Sequence, residues 1–131
     1  MTTKFKQVNP RTIPTESNDC VVRAMAVALD KHYEDVHTVC GMVGRKPRQG
    51  MTVAKIEEAV YLSTQNPESK FTWVMKYDRP TFAQFARGNP TGRFIVVRRG
   101  HAVALINGVW HDAYKTGCGS RARVMSFCKV G

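Results

Sequence analysis

The chain opens with apolar residues in helical spacing and ends with apolar residues in strand-like runs. After Cys20, the positions Val22, Met25, Ala26 and Leu29 recur at intervals of 3, 1 and 3, the pattern of one buried helix face. Ser17, Asn18 or Asp19 can cap that helix, which puts Cys20 in its first turn. A second helix is predicted from Tyr33 to Met42, with Tyr33, Val36, Cys40 and Val43 on one side and Gly41 or Gly44 ending it. Residues 44–50 read as a basic loop. Thr52 caps a third helix reaching about Leu62, with Val53, Ile56, Ala59 and Val60 inward. The run from Phe71 to Met75 has the β-branched and aromatic content of a strand. Thr81 and Gln84 then form a capping-box pair behind Pro80, opening a short helix that Gly88 closes.

From there the grammar is that of strands: Arg93 to Val97, His101 to Ile106, Val109 to Ala113, and Arg123 to Cys128. Helices first and strands last make the chain α+β, with N-terminal helices packed on a C-terminal antiparallel sheet. Residues 1–16 carry Pro10 and Pro14 and no periodicity, so they read as an extended arm, laid on the surface or mobile. Residues 17–131 form a single domain by length, large enough for a core without metal or disulfides.

One segment predicts its own geometry. Asn107-Gly108 stands between two apolar runs, and a two-residue turn there pairs Ile106 with Val109, Leu105 with Trp110, and Ala104 with His111. Side chains alternate along a strand, so His101, Val103, Leu105, Trp110 and Asp112 share one face and His111 lies on the other. His101 and Asp112 become diagonal neighbours, about 7 to 8 Å apart at Cα, within reach of an imidazole and a carboxylate. A three-residue loop would reverse this and bring His111 round instead.

Chemistry gathers on the same residues. A cysteine in the first turn of a helix meets unpaired N–H groups and the positive end of the helix dipole, which favour thiolate. The backbone N–H of Cys20 can also serve a developing oxyanion, with the Asn18 side-chain amide as the second donor. His101 is placed to take the thiol proton and Asp112 to orient the imidazole. Each of these residues has a plainer reading: a free cysteine is often a small buried hydrophobe, and His or Asp at a strand end is often just solvated.

Charge adds a class of partner but no reaction. Twenty Lys and Arg against ten Asp and Glu give +10, and from Arg87 onward eight basic residues face only Asp112. Arg45, Lys46 and Arg48 with Arg93, Arg98, Arg99, Arg121 and Arg123 could serve an acidic protein or a nucleic acid, although no DNA-reading motif is present. Cysteines at 20, 40, 118 and 128 contain no C-x-x-C pair, and His37 with Cys40 is too few ligands for zinc. Neither a metal nor a cofactor is expected. With no apolar run of 18 residues and no secretory leader in the first residues, the expectation is a cytoplasmic protein without a membrane span.

Taken in order, an Asn-Asp-Cys helix start, intervening helices, Gly100-His101 leading an apolar strand, a turn, and a return to Asp112 resemble the papain-like cysteine peptidase superfamily. The likeness is to its bacteriocin-processing type and to small phage-encoded proteins of that fold, and it spans about residues 17 to 113. It implies a nucleophile at Cys20, a base at His101, a third member at Asp112, and a peptide or isopeptide substrate, met in the host cytoplasm if the protein is phage-encoded. Such enzymes commonly carry an oxyanion glutamine about six residues before the cysteine, where this chain has Pro14. That departure leaves room for a weak enzyme, or for an inactive fold used as a basic binding or inhibitory protein. A cell-wall hydrolase resembling the NlpC type is the lesser alternative, and it would draw its third member from His111.

Overall fold

In the computed structural model, which describes residues 4–119 and 121–131 and the side chains of all of these but 116 and 117, four α-helices flank a six-stranded sheet. The helices are α1 (Cys20–Leu29), α2 (Tyr33–Met42), α3 (Val53–Thr64) and α4 (Phe82–Gly88). The strands are β1 (Phe5–Gln7), β2 (Thr72–Trp73), β3 (Arg93–Arg98), β4 (His101–Ile106), β5 (Val109–Asp112) and β6 (Ser126–Lys129), in the order β1-β5-β4-β3-β6-β2. The α+β class follows the sequence reading, but the order is not simply helices then strands, since β1 precedes α1 and β2 precedes α4. No helix among the described residues is long and apolar enough to cross a membrane.

The central strands β3 and β4 are buried on both faces, and their alternation divides the core in two. Ile95, Val97, Ala102 and Ala104 face α1 to α3, whereas Phe94, Val96, Val103 and Leu105 face α4 with Phe82, Phe85 and Trp110. Phe82 stacks on Trp110 at 4.1 Å between ring centroids, so the second core is largely aromatic. α1 differs from the single-faced helix its spacing predicts. Seven of its ten residues are buried because it lies between the sheet and α2, and a helix enclosed in this way is apolar nearly all round.

Local chemistry explains most boundaries. Thr52 Oγ1 accepts from the Lys55 N–H at 3.3 Å to start α3, and Thr81 with Gln84 closes both halves of a capping box at α4. Glu34 and Asp35 supply negative charge to the first turn of α2. The last carbonyls of α1, at Val27 and Ala28, accept from the Arg93 guanidinium at 2.8 and 2.7 Å, which ties the central helix to β3.

Three strand expectations are corrected. β1 lies within the segment read as an arm, and it pairs in parallel with β5, Gln7 opposite Asp112, so the sheet is not wholly antiparallel. β2 is only two residues long, because the Phe71 N–H turns to the Glu57 carboxylate at 2.7 Å and the chain winds into a 3₁₀ turn from Lys76. β6 starts at Ser126 rather than Arg123. Before it, Arg123 bridges to Thr81 and the Val124 N–H goes to the Pro80 carbonyl, so the segment serves α4 before it joins β3.

Candidate active site

Two tight turns place the imidazole and its carboxylate. Asn107 (φ 49°) and Gly108 (φ 76°) both occupy the left-handed region, as a two-residue hairpin turn of this hand requires. The pairing is Ile106 with Val109, Leu105 with Trp110 and Ala104 with His111, the register read from the sequence. At the other end of β4, Gly100 (φ 76°) lets the chain reverse within two residues and sets His101 opposite Arg98. His101 Nε2 then meets Asp112 Oδ2 at 2.5 Å. His111 turns away, its Nδ1 against the Val109 carbonyl at 2.9 Å.

Cys20 arrives from α1. It is the first residue of the helix, whose first i to i−4 bond runs from the Arg23 N–H to the Asp19 carbonyl at 2.9 Å. The half-buried thiol shares one cleft wall with His101 and Ala102, near enough to the imidazole and to the Ala102 N–H to be influenced by both. Since Nε2 is held by Asp112, the ring nitrogen left for sulfur is Nδ1. Burial pushes the Cys20 thiol up, but the imidazole and the Ala102 N–H beside it, with the charges of His101 and Arg23, outweigh burial, and the pKa falls below the ordinary thiol value. Burial likewise opposes charge on His101, yet Asp112 and Cys20 raise it to about 9. Both changes favour a thiolate facing an imidazolium. The other thiols go the opposite way: burial lifts Cys40 and Cys128 to about 11 and Cys118 to about 12.

Behind this pair runs a chain of buried charges that the sequence reading missed. Arg23 Nη1 donates to Asp112 Oδ1 and Arg23 Nε to Asp19 Oδ1, each at 3.2 Å. Asp19 is fully buried and also accepts from Arg11 at 2.6 and 2.9 Å and from the Tyr33 hydroxyl at 2.6 Å. Burial works against its charge, but Arg11, Tyr33 and Arg23 hold it well below the usual carboxylate range. Asp19 does occupy the N-cap position of α1, but with its carboxylate so occupied it makes no side-chain cap bond. Arg23 was legible in one respect. It is the only charged residue in a helix otherwise made of apolar side chains and Cys20, four positions after Asp19, and a buried guanidinium requires a carboxylate.

A second buried cluster fixes the loop beside the cysteine. Glu16 accepts from Arg45 at 2.8 and 3.1 Å and from the Arg48 N–H at 2.8 Å, and it contacts His37 Nε2 at 2.6 Å. Arg45, foremost among these partners, keeps Glu16 far below the carboxylate norm. Arg45 is therefore a core residue and drops out of the basic surface expected of it, as does Arg93 through its bonds to the end of α1. Asn18 lies in the left-handed region (φ 48°), and its side-chain amide donates to the Arg48 carbonyl at 3.1 Å. The donor proposed for an oxyanion thus has one N–H engaged in holding the loop, and the residue does not line the cleft described next.

Cys20 and His101 open on a cleft of about 360 Å³. Its other walls are mostly apolar: Met51, Val53, Ile56, Trp73, Val97 and Met125, with Arg98 at the side. No family model, curated protein or solved structure matches this chain.

Proposed function

We propose that the protein is a cysteine-dependent amide hydrolase of papain-like architecture, with Cys20 as nucleophile, His101 as general base and acid, and Asp112 as the orienting carboxylate. The observation that carries the reading is that Cys20 at the start of α1 and His101 line one cleft while His101 Nε2 is bonded to Asp112 Oδ2 at 2.5 Å, an arrangement that lowers the thiol pKa and raises that of the imidazole. The substrate class is a peptide or isopeptide bond.

The chemistry follows from the protonation states. The Cys20 thiolate attacks the carbonyl carbon, and the developing oxyanion lies near the N-terminal turn of α1, where the Cys20 N–H is available by helix geometry. Imidazolium at His101 gives its proton to the leaving nitrogen, the C–N bond breaks, and a thioester on Cys20 remains. Water then attacks the thioester as His101 takes its proton. The carboxylic product leaves and the thiolate is restored. Asp112, held by Arg23 and by the Ala113 N–H at 2.7 Å, keeps the ring oriented throughout.

The cell-wall alternative needs His111 beside His101, and the hairpin register puts it on the other side of the sheet. The test of the main reading is labelling of the folded protein near neutral pH with a cysteine-directed electrophile. Cys20 should react far faster than the three other cysteines, and His101→Ala should abolish the difference. Uniform labelling, or selectivity unaffected by loss of His101, would refute catalysis and favour a basic binding protein on the same fold.

A further inference from the structure

The cleft continues onto a ridge that folding alone does not explain. Trp73, Met75 and Tyr77 are 59%, 75% and 93% exposed, so half of the six large apolar side chains exposed among the described residues stand within five positions. Exposed side chains of this size, grouped together, mark a contact surface. The segment is braced rather than loose. The Asp78 N–H donates to the Met75 carbonyl at 2.8 Å, Arg79 Nε to the Val74 carbonyl at 3.2 Å, and Arg123 Nη1 to the Arg79 carbonyl at 2.8 Å.

Two further features indicate what would cover it. Lys76 is exposed within the segment and Arg121 and Arg123 are exposed on the chain that braces it, against Asp78 as the one acid of residues 73–79, whereas Lys70 stands apart with Glu57 and Glu58. Trp73 also belongs to both surfaces: it lines the cleft with Cys20 and His101, and it sits on β2, the terminal strand of the sheet, whose outer edge is unpaired among the described residues.

We propose that residues 73–79, with Arg121 and Arg123 on the stretch that braces them, form a docking ridge for an extended acidic polypeptide bearing apolar side chains, the part of the substrate that lies beyond the cleft. This rests on the reading of Cys20 as an amide-cleaving nucleophile. A polypeptide fits better than single-stranded nucleic acid, because the ridge leads into a site suited to amides and because Met75 offers apolar contact without a ring to stack on a base.

The test uses Cys20→Ala protein, so that binding is read apart from chemistry, and a fluorescein-labelled 12-residue peptide of alternating Glu and Leu followed by anisotropy. Binding should weaken about tenfold or more between 50 and 300 mM salt, since exposed charges are screened over that range. A matching Ser and Leu peptide should bind about tenfold more weakly, and Lys76→Gln with Arg121→Gln should flatten the salt dependence. Trp73→Ala with Tyr77→Ala should cost about tenfold or more, as loss of aromatic anchors does. Tyr77→Ala alone, at a ring 93% exposed, keeps the test independent of folding. Equal binding of the Ser and Leu peptide, indifference to both aromatic substitutions, or tighter binding of an oligothymidylate of equal length would overturn the proposal. Because the electrophile test reads Cys20 and this one reads the ridge, failure of either is distinguishable from failure of the other.

Discussion

Replacing Asp112 by Asn isolates the contribution of one carboxylate to the thiolate. In the native site the imidazole is raised from 6.5 to about 9, a preference for the charged ring of about 3 kcal/mol at 1.36 kcal/mol per pH unit. Two partners overcome burial to produce it, Asp112 first and Cys20 second. If Asp112 supplies about half, its loss lowers the ratio of imidazolium to imidazole, and with it the ratio of the thiolate–imidazolium pair to the neutral pair, by roughly tenfold. An Asn amide donating to Nε2 would also force the ring proton onto Nδ1, the nitrogen that must accept from Cys20. Alkylation of Cys20 at pH 7 should therefore slow by up to roughly tenfold, with its pH midpoint moving up towards the free-thiol value, and amide cleavage should fall by about 10² to 10⁴. The assay is iodoacetamide labelling against pH with mass-spectrometric assignment to Cys20, and His111→Ala serves as the control, changing the rate by less than about twofold. A Cys20 pH profile unmoved in Asp112→Asn, or a larger effect from His111→Ala, would refute the assignment of the third member.

Two other perturbations address the buried charges. Arg23→Leu leaves Asp112 and Asp19 each short of a cation and should cost about 3 to 5 kcal/mol in urea unfolding, with Arg23→Lys recovering part of that and moving the Cys20 pH profile back towards native; a loss below 1 kcal/mol would show that the Arg23 contacts are dispensable. Glu16 and Asp19 have folded pKa values below their unfolded ones, so the stability they provide is complete above about pH 4.5 and is lost as pH falls through their folded values. Glu16→Gln should flatten the acid limb of the urea midpoint and destabilise at neutral pH by stranding Arg45, whereas Glu16→Gln with Arg45→Met should recover most of the neutral loss. An acid limb unchanged in Glu16→Gln would place the titrating group elsewhere.

What could be read from the sequence was whatever short-range rules decide. The Asn107-Gly108 turn sets a register, and the register alone predicts which of two adjacent residues, His111 or Asp112, meets His101. The helix starts at Thr52 and Thr81 were legible for the same reason, since a cap is written within four residues. Long-range pairings were not. Nothing local in Phe5-Lys6-Gln7 announces a parallel partner at Trp110 to Asp112, and three residues are too few to show strand alternation. Arg45 looked like surface charge because it stands in a run of basic residues, and its burial depends on Glu16, twenty-nine positions away. Asn18 was read by its distance from Cys20, whereas its side chain is set by the returning loop at Arg48.

The position of β1 bears on when the site can exist at all. On a ribosome, Cys20 leaves the exit tunnel early, but the imidazole and the carboxylate it needs are made about 80 and 90 residues later, and at about 5 to 20 residues per second that interval lasts on the order of seconds. Throughout that delay the first strand has no neighbour, because Gln7 is paired only when the chain has reached Asp112. The Val8 N–H bonds the Asp112 carbonyl at 2.9 Å, so completion of the N-terminal edge and arrival of the third residue are one event. A nascent chain therefore carries an ordinary thiol, slow to attack any amide nearby. If Cys20 acts as proposed, only the finished chain acquires a nucleophile, and the order of synthesis acts as a safety catch.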